Sequence, residues 1–125
     1  MKTKGKKILI VDDDKFFVEI LSKKLIASGF DIYAALNGED GLKSFKEIKP
    51  DLILLDILMP VIDGLTFLKQ IRDDEYGKNV PVFVLTNVTD ADKTAEAAKL
   101  NVNEYLIKAD WAIDALIGKM NNALA

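Results

Sequence analysis

Residues 8–14 read Ile-Leu-Ile-Val-Asp-Asp-Asp, four apolar residues followed at once by three aspartates. A second stretch of the same kind, residues 51–56, reads Asp-Leu-Ile-Leu-Leu-Asp. Apolar runs this short are typical of strands that are covered on both faces. In a parallel sheet, groups that follow such strands meet at the edge where ligands bind. The sequence therefore predicts a carboxylate-rich site at one edge of a sheet.

Short apolar runs alternate with segments of helical spacing along the whole chain. Strands are predicted at Ile8–Val11, Ile32–Leu36, Leu52–Leu55, Val80–Leu85 and Tyr105–Ile107. This alternation predicts an α/β fold, a five-stranded parallel sheet with helices on both faces. Right-handed crossovers leave few topologies, of which strand order 2-1-3-4-5 is the commonest for five strands. We expect one domain over residues 1–125, with residues 1–5 loosely held.

Five helices are predicted from apolar stripes and from the residues that begin or end them. The stripes are Phe17, Ile20, Leu21 and Leu25, then Leu42, Phe45 and Ile48, then Leu65, Leu68 and Ile71, then the Ala-rich stretch from Ala91 to Leu100, and last Ile113, Leu116, Ile117, Met120 and Leu124. Asp14, Asn37 and Asp90 are placed to cap the first, second and fourth helices. Gly29 and Pro50 are placed to end the first two.

The composition limits the chemistry that the chain can perform. Its 125 residues include no His and no Cys, and the net charge is −3. Ser-His and Cys-His nucleophile pairs, imidazole or thiolate zinc sites and a histidine phosphocarrier are thereby excluded. The acidic balance argues against direct nucleic-acid binding. No stretch approaches the roughly 18 apolar residues of a membrane span, so we expect a cytoplasmic protein.

The predicted strand ends bring a set of polar side chains to one mouth. These are Asp12, Asp13, Asp56, Thr86 and Lys108. Three carboxylates there repel one another unless a cation lies among them. Mg²⁺ fits best, because it takes one or two carboxylates, keeps waters and uses phosphate oxygens as further ligands. The simpler interpretation, a helix cap or a solvated loop residue, is preferred for Asp14.

Lys108 and Thr86 are informative only because of their shared position. Alone, they would be an ordinary solvated lysine and a β-branched strand residue. At the mouth, an ammonium and a hydroxyl can both bind phosphoryl oxygens. With a cation they would neutralise a phosphoryl group while a carboxylate attacks it in line. Asp56 would be the nucleophile, and the product would be an aspartyl phosphate.

In this order, the motifs resemble those of response-regulator receiver domains, the phosphoacceptor modules of two-component signalling. The resemblance runs from Lys6 to the last helix. It rests on residues 8–14, on Asp-Ile-Leu-Met-Pro-Val-Ile-Asp-Gly at 56–64, on Leu-Thr at 85–86 and on Tyr-Leu-Ile-Lys at 105–108. It implies a flavodoxin-like receiver fold and an Mg²⁺ cofactor. It also implies phosphorylation at Asp56 by a sensor histidine kinase or a phosphotransfer protein.

The resemblance also assigns the metal ligands. Asp13 would bind Mg²⁺ directly and Asp12 through water, and the backbone carbonyl of Leu58 would add a further ligand. Asp56 would also belong to the metal site. The domain would assist its own phosphorylation and dephosphorylation and would not be a metabolic enzyme.

The same resemblance implies a conformational switch. Thr86 and Lys108 match the phosphoryl-binding pair, and Tyr105 matches the aromatic residue that swings inward when Thr86 moves. A downstream protein would bind the face formed by the fourth helix, the fifth strand and the fifth helix. Trp111 lies near that face, and core and interface roles stay open for it. A monomer and a phosphorylation-dependent dimer are both compatible with the sequence.

Two positions depart from the family pattern. Ala109 follows Lys108 where most members have a Pro in a cis peptide, and a cis bond before Ala would cost about 3 kcal/mol. Either a trans peptide with a rearranged loop or a strained cis bond is expected. Asn87 replaces a smaller residue and should narrow access to Asp56. These departures leave one alternative open, a receiver-shaped interaction module whose partner binding ignores phosphorylation.

Three enzyme or carrier classes fit the residues less well. A flavodoxin-like electron carrier would need a hydroxyl- and Gly-rich phosphate loop where residues 12–14 are all aspartate. The phosphate-binding loop of nucleotide hydrolases is absent. A phosphatase of the haloacid-dehalogenase type would need a second Asp at position 58, where the chain has Leu58.

Slow loss of the phosphoryl group is the first prediction. Leu58 and Val88 flank the site with apolar side chains that cannot orient a water for attack on an acyl phosphate. The phosphorylated form is therefore expected to hydrolyse slowly for this family, as followed by intact mass after removal of the phosphodonor. A half-life of seconds would contradict this expectation.

Overall fold

Five strands and five helices alternate in the computed structural model, which describes residues 4–87, 91–109 and 112–125. The elements are β1 (Lys7–Val11), α1 (Lys15–Ala27), β2 (Asp31–Ala35), α2 (Gly38–Ile48), β3 (Leu52–Leu55), α3 (Gly64–Asp73), β4 (Val82–Thr86), α4 (Ala91–Lys99), β5 (Glu104–Ile107) and α5 (Ile113–Leu124). Among the described helices, none has both the length and the apolar character needed to cross a bilayer.

All five strands are parallel and form one sheet in the order β2-β1-β3-β4-β5. The predicted fold class and strand order are thus confirmed. Val11, the last residue of β1, pairs with Ala35 on one side and Leu55 on the other. The connection from β1 leads to β2 on one side of it, and the connection from β2 leads back to β3 on the other side of β1. This change of direction opens a crevice at the carboxyl ends of the strands.

The predicted strands are in place, with shifts at their ends. The largest shift is in β4, which is Val82–Thr86 and not Val80–Leu85, so Thr86 is the last residue of the strand. Coverage on both faces is correct for β1, β3 and β4, whose apolar residues are buried. It is wrong for β2, where Asp31 and Ala34 are exposed. The strand lies at the sheet edge and pairs with β1 alone.

The core is divided between the two faces of the sheet. On one face, β-strand residues such as Ile10 and Phe83 pack against α1 and α5, which contribute Leu21 and Met120. On the other face, Leu9 and its neighbours pack against α2 and α3, with a smaller cluster under α4 that includes Ala97. Two helices therefore cover one face and three cover the other, as the alternating pattern predicts.

The apolar stripe of α1 differs from the predicted one at two positions. Ile20 is 60% exposed, whereas Val18, which was not assigned to the stripe, is buried. The buried positions Val18, Leu21 and Leu25 follow an i, i+3, i+7 spacing. Ile20 lies on the outer side of the helix, since an interval of one residue from Leu21 turns the side chain by about 100°.

Local hydrogen bonds explain where the helices begin and end. The carboxylate of Asp14 accepts the Phe17 N–H at the start of α1, and the Asn37 side chain accepts the Asp40 N–H at the start of α2, as predicted. Asp90, the third predicted cap, lies outside the described residues. Gly29 (φ 98°) ends α1 in the left-handed region that favours glycine. Its N–H donates to Ile26 O, which is part of a Schellman closure.

Arg72 holds two loops together at the amino edge of the sheet, opposite the crevice. Its guanidinium donates to the carbonyls of Leu100 and Asn101 after α4, at 2.7 and 2.9 Å. It also donates to Gly77 and Val80 before β4, at 2.7 and 2.8 Å. Burial lowers the pKa of Arg72, but the four carbonyl oxygens match the fixed fork of a guanidinium. One side chain thus fixes both loops.

Gly64 lets the start of α3 approach the end of β3. Its N–H donates to Ile57 O at 2.8 Å. A Cβ at this position would lie 2.2 Å from the carbonyl oxygen of Asp56. Gly118, within α5, is a matched contrast, because nothing lies within 4 Å of the corresponding Cβ position.

The two glycines predict opposite effects of the same substitution. Gly64→Ala is expected to lower the free energy of unfolding by about 2–4 kcal/mol, because the backbone of residues 56–57 has to shift. Gly118→Ala is expected to raise it by about 0.5–1 kcal/mol, through a better helix propensity. Urea unfolding followed by circular dichroism measures both. Equal effects of the two substitutions would contradict the close approach at Gly64.

Candidate functional site at the carboxyl edge

The carboxyl ends of the strands open onto a cleft of about 520 Å³. It is lined by Asp13, Asp14, Asp56, Leu58, Met59, Pro60, Thr86, Asn87 and Lys108. Four of the five residues predicted from the strand ends line this cleft, namely Asp13, Asp56, Thr86 and Lys108, although they are spread over nearly a hundred positions of the sequence. The fifth, Asp12, is buried and contacts Lys108. Asn87 lines this cleft as an exposed residue. Val88, also predicted to flank the site, lies outside the described residues.

Three carboxylates meet at this edge with different exposures. Asp12 and Asp56 are buried, at 2% and 6% exposed, and Asp13 is exposed. One oxygen from each carboxylate belongs to a set whose members lie within 4.8 Å of one another. Two ligands on opposite sides of a Mg²⁺ ion are about 4.2 Å apart. The oxygen ligands and their spacing fit a small, hard cation after a minor adjustment.

Backbone groups of the loops hold the buried carboxylates in place. The Asp14 N–H donates to Oδ1 of Asp12 at 2.9 Å, and the Leu58 N–H donates to Oδ1 of Asp56 at 3.3 Å. The Asp56 N–H itself donates to Val11 O at 2.9 Å. The carboxylates are therefore oriented by the main chain at the ends of β1 and β3.

Lys108 reaches both buried carboxylates. Its Nζ lies 2.7 Å from Oδ2 of Asp12 and 3.4 Å from Oδ2 of Asp56, and its side chain is 11% exposed. The Lys108 N–H donates to Thr86 O at 2.9 Å, which continues the pairing of β5 with β4. No cis peptide occurs within the described ranges, so the peptide before Ala109 is trans. Of the two alternatives expected there, the trans peptide is correct.

The charges of this group do not balance. Burial raises the pKa of Asp12, although hydrogen bonds from Lys108 and from the Asp14 N–H act in the opposite direction. Burial would lower the pKa of Lys108, but the two carboxylates outweigh it and raise that pKa. The two directions have different causes. Burial dominates at Asp12, whereas the Lys108 ammonium is stabilised by two carboxylates at once.

The two residues of the predicted switch lie on neighbouring strands. Thr86 is fully buried at the end of β4, where it pairs with Ile107 of β5. Tyr105 is half-buried and packs against the small apolar cluster that includes Val84 and Ala97 under α4. Trp111 lies outside the described residues.

Phe17 and Arg72 are two residues whose contacts the sequence did not indicate. The Phe17 ring centroid lies 4.4 Å from Lys108 Nζ, whereas the sequence assigned Phe17 to the core stripe of α1. It does pack against that core as well. No periodicity distinguishes a core aromatic from one that also touches a cation. The available signal was that Phe17 follows the Asp14 cap by three residues and so begins α1 beside the predicted site. That signal is weak.

Comparison with known proteins places the chain in a family. A family model described as the response regulator receiver domain matches residues 8–121, and the chain belongs to this family. The motifs and the fold had indicated the same class of protein.

Relatives by sequence are longer proteins. The alkaline phosphatase synthesis transcriptional regulatory protein PhoP of Bacillus subtilis is 36% identical over 104 residues, which cover 83% of this chain and 42% of PhoP. The regulatory protein AtoC of Escherichia coli is 36% identical over 102 residues, covering 82% of this chain and 22% of AtoC. The chain therefore spans less than half the length of these relatives.

Solved structures match along almost the whole chain. A putative response regulator from Chloroflexus aurantiacus superimposes with a TM-score of 0.88 at 31% identity, covering 97% of this chain and 98% of the other. The chemotaxis protein CheY4 of Vibrio cholerae gives 0.87 at 26% identity, covering 95% and 98%. The receiver fold expected from the motifs is confirmed.

The burial of the Asp12 carboxylate predicts that Asp12→Asn stabilises the fold at neutral pH. Asp12 has a folded pKa above its ordinary value of 3.8, so its charged form opposes folding. The free energy of unfolding is therefore expected to rise at pH 7. The gain shrinks as the pH falls through the folded pKa toward 3.8, because the natural side chain then becomes neutral too.

Urea unfolding across this pH range measures the effect. Glu19→Gln, on the exposed side of α1, is the control and is expected to change stability by less than about 0.5 kcal/mol. A clear loss of stability in Asp12→Asn at pH 7 would show that the pair with Lys108 outweighs the burial of the carboxylate.

Proposed function

We propose that this domain accepts a phosphoryl group on Asp56 from a phosphohistidine of a sensor kinase or phosphotransfer protein, and that the phosphorylated form changes its affinity for a partner. The single observation that carries the proposal is the position of the Lys108 ammonium, 3.4 Å from the Asp56 carboxylate within an acidic cluster. Membership of the receiver family supports it.

Mg²⁺ fits the acidic cluster, and the proposal assigns its ligands as the resemblance implies. Asp13 would bind it directly, Asp12 through water, and the Leu58 carbonyl would add a further ligand, with Asp56 also part of the metal site. The bound ion would supply positive charge to the phosphoryl oxygens. Asp13, the exposed carboxylate at the mouth, would capture it from solvent, while Asp56 stays available as the nucleophile.

The transfer itself is a displacement at phosphorus. A carboxylate oxygen of Asp56 forms a bond to phosphorus, the phosphorus–nitrogen bond to the donor imidazole breaks, and the electron pair of that bond stays on the imidazole nitrogen. Lys108 donates to one equatorial oxygen and the Thr86 hydroxyl to another. The open cleft leaves room for the donor side chain. In this proposal the domain assists only the phosphorylation and dephosphorylation of its own Asp56.

The output would pass through Thr86 and Tyr105. A Thr86 hydroxyl drawn toward the phosphoryl group would leave space beside β4, into which the half-buried Tyr105 ring could turn. The face of α4, β5 and α5 would change with it, and a downstream protein would read that change. The neighbouring positions of these two residues on paired strands support this route.

A receiver-shaped module that ignores phosphorylation is the alternative. Ala109 and Asn87 had left it open, because a displaced Lys108 would disable the site and Asn87 lines the cleft that leads to Asp56. The ammonium nevertheless lies between Asp12 and Asp56, and this favours the phosphoacceptor.

Chemical phosphorylation tests the proposal directly. Incubation of the chain with Mg²⁺ and acetyl phosphate is expected to add the mass of one phosphoryl group, and peptide mapping should locate it at Asp56. Asp56→Asn is expected to abolish the addition, and chelation of Mg²⁺ to suppress it by more than about tenfold.

Asp73→Asn is the matched control, since Asp73 is an exposed aspartate at the far end of α3. It should label like the natural chain. No labelling of the natural chain by acetyl phosphate, together with no binding of beryllofluoride, would favour the phosphorylation-independent module.

A further inference from the structure

Phe17 lies against the ammonium group at the centre of the proposed reaction. Lys108 Nζ is 4.4 Å from the centroid of the Phe17 ring, a distance at which the negative face of an aromatic ring attracts a cation. The same ammonium contacts Asp12 and Asp56. Because the Lys108 side chain is only 11% exposed, water screens the ring contact little, and the attraction is stronger than at a surface.

We propose that Phe17 is a positioning residue for Lys108, whose ring keeps the ammonium where it can bind a phosphoryl oxygen on Asp56. The inference rests on the proposed phosphoryl transfer and adds to it a residue that would touch neither the metal nor the phosphoryl group.

An aromatic ring suits this position better than a charged partner. A lysine ammonium is strongly hydrated and sits on a flexible stem, so an unheld one would turn toward water. A further carboxylate would hold it but would add negative charge beside Asp12, Asp13 and Asp56, where phosphoryl oxygens must also be accepted. The Phe17 ring attracts the ammonium without adding net charge.

The ring is itself held from two directions. Phe17 is the third residue of α1, and its N–H donates to Oδ1 of Asp14 at 3.1 Å. Its side chain packs against the core cluster shared by α1 and α5. A ring anchored by a helix cap and a core has little freedom to leave the ammonium.

The contact with Phe17 matters more because residue 109, after Lys108, is Ala where most family members have Pro. Proline restricts the backbone torsion of its own residue and the conformation of the residue before it. Ala109 imposes neither restriction. The position of the Lys108 side chain therefore depends more on what it touches, and Phe17 is among its three described contacts.

Fluorination of the ring tests the proposal with little change in size. Phenylalanines with one, two and three ring fluorines, placed at position 17 by amber suppression, weaken the attraction for a cation stepwise. The affinity for beryllofluoride, measured calorimetrically in saturating Mg²⁺, is expected to fall with each fluorine, by about three- to tenfold in total. Phe17→Leu should show at least this loss, and Phe17→Tyr should retain the natural affinity.

The affinity for Mg²⁺ without beryllofluoride distinguishes a purely structural role of Phe17 from the positioning of Lys108. Asp13 and Asp14 lie beside Phe17 in the chain, so a disturbed start of α1 would weaken Mg²⁺ binding too. Our proposal expects the Mg²⁺ affinity of the fluorinated chains, measured without beryllofluoride, to stay within about twofold of the natural value, because the ring acts on the ammonium. Phe16→Leu, at an 80% exposed neighbour, is the matched control and should change neither affinity.

The outcomes separate the two proposals. Beryllofluoride binding that is independent of fluorination would overturn the role of Phe17 and leave the phosphoacceptor function standing. A parallel fall of Mg²⁺ and beryllofluoride affinities would also overturn it, in favour of a structural role. Failure of the natural chain to bind beryllofluoride would overturn both proposals.

Discussion

The ammonium of Lys108 lies between carboxylates from two strands, and the properties of the carboxyl edge depend on that contact. Asp12 and Asp56 are buried at the ends of β1 and β3, where like charges destabilise each other. Lys108, arriving from β5, compensates part of that charge and leaves the rest uncompensated. The remaining negative charge of this acidic cluster favours the binding of a cation.

The fold was largely predictable because strand ends and site residues coincide in this chain. Short apolar runs fixed the number of strands, and the alternation with helical stripes fixed the parallel arrangement. The sheet then determined which side chains would meet, so that Asp13, Asp56, Thr86 and Lys108 could be grouped before any distance was known. The resemblance to receiver domains rested on these same residues, and the family comparison confirmed it.

The contacts and exposures that could not be predicted from the sequence share a physical cause. Hydrophobicity records whether a side chain leaves water, but not what it touches afterwards. Ile20 was assigned to the core, although its direction on α1 exposes it. Phe17 was assigned to the core correctly, but its contact with an ammonium leaves no trace in the spacing. Arg72 would pass for a solvated charge at the end of α3, whereas backbone carbonyls from two distant loops surround it.

Arg72 also has a mechanical consequence for α4. The guanidinium grips the carbonyls of Leu100 and Asn101, directly after the helix ends, so that end is pinned to α3 and to the loop before β4. The opposite end of α4 lies at the carboxyl edge of the sheet, on the side where β4 ends at Thr86. Arg72 therefore fixes the position of the carboxyl-terminal end of α4 relative to α3 and to the loop before β4. A displacement of α4 is expected to be smallest at this anchored end, because moving it would break hydrogen bonds of 2.7 and 2.9 Å to a part-buried guanidinium.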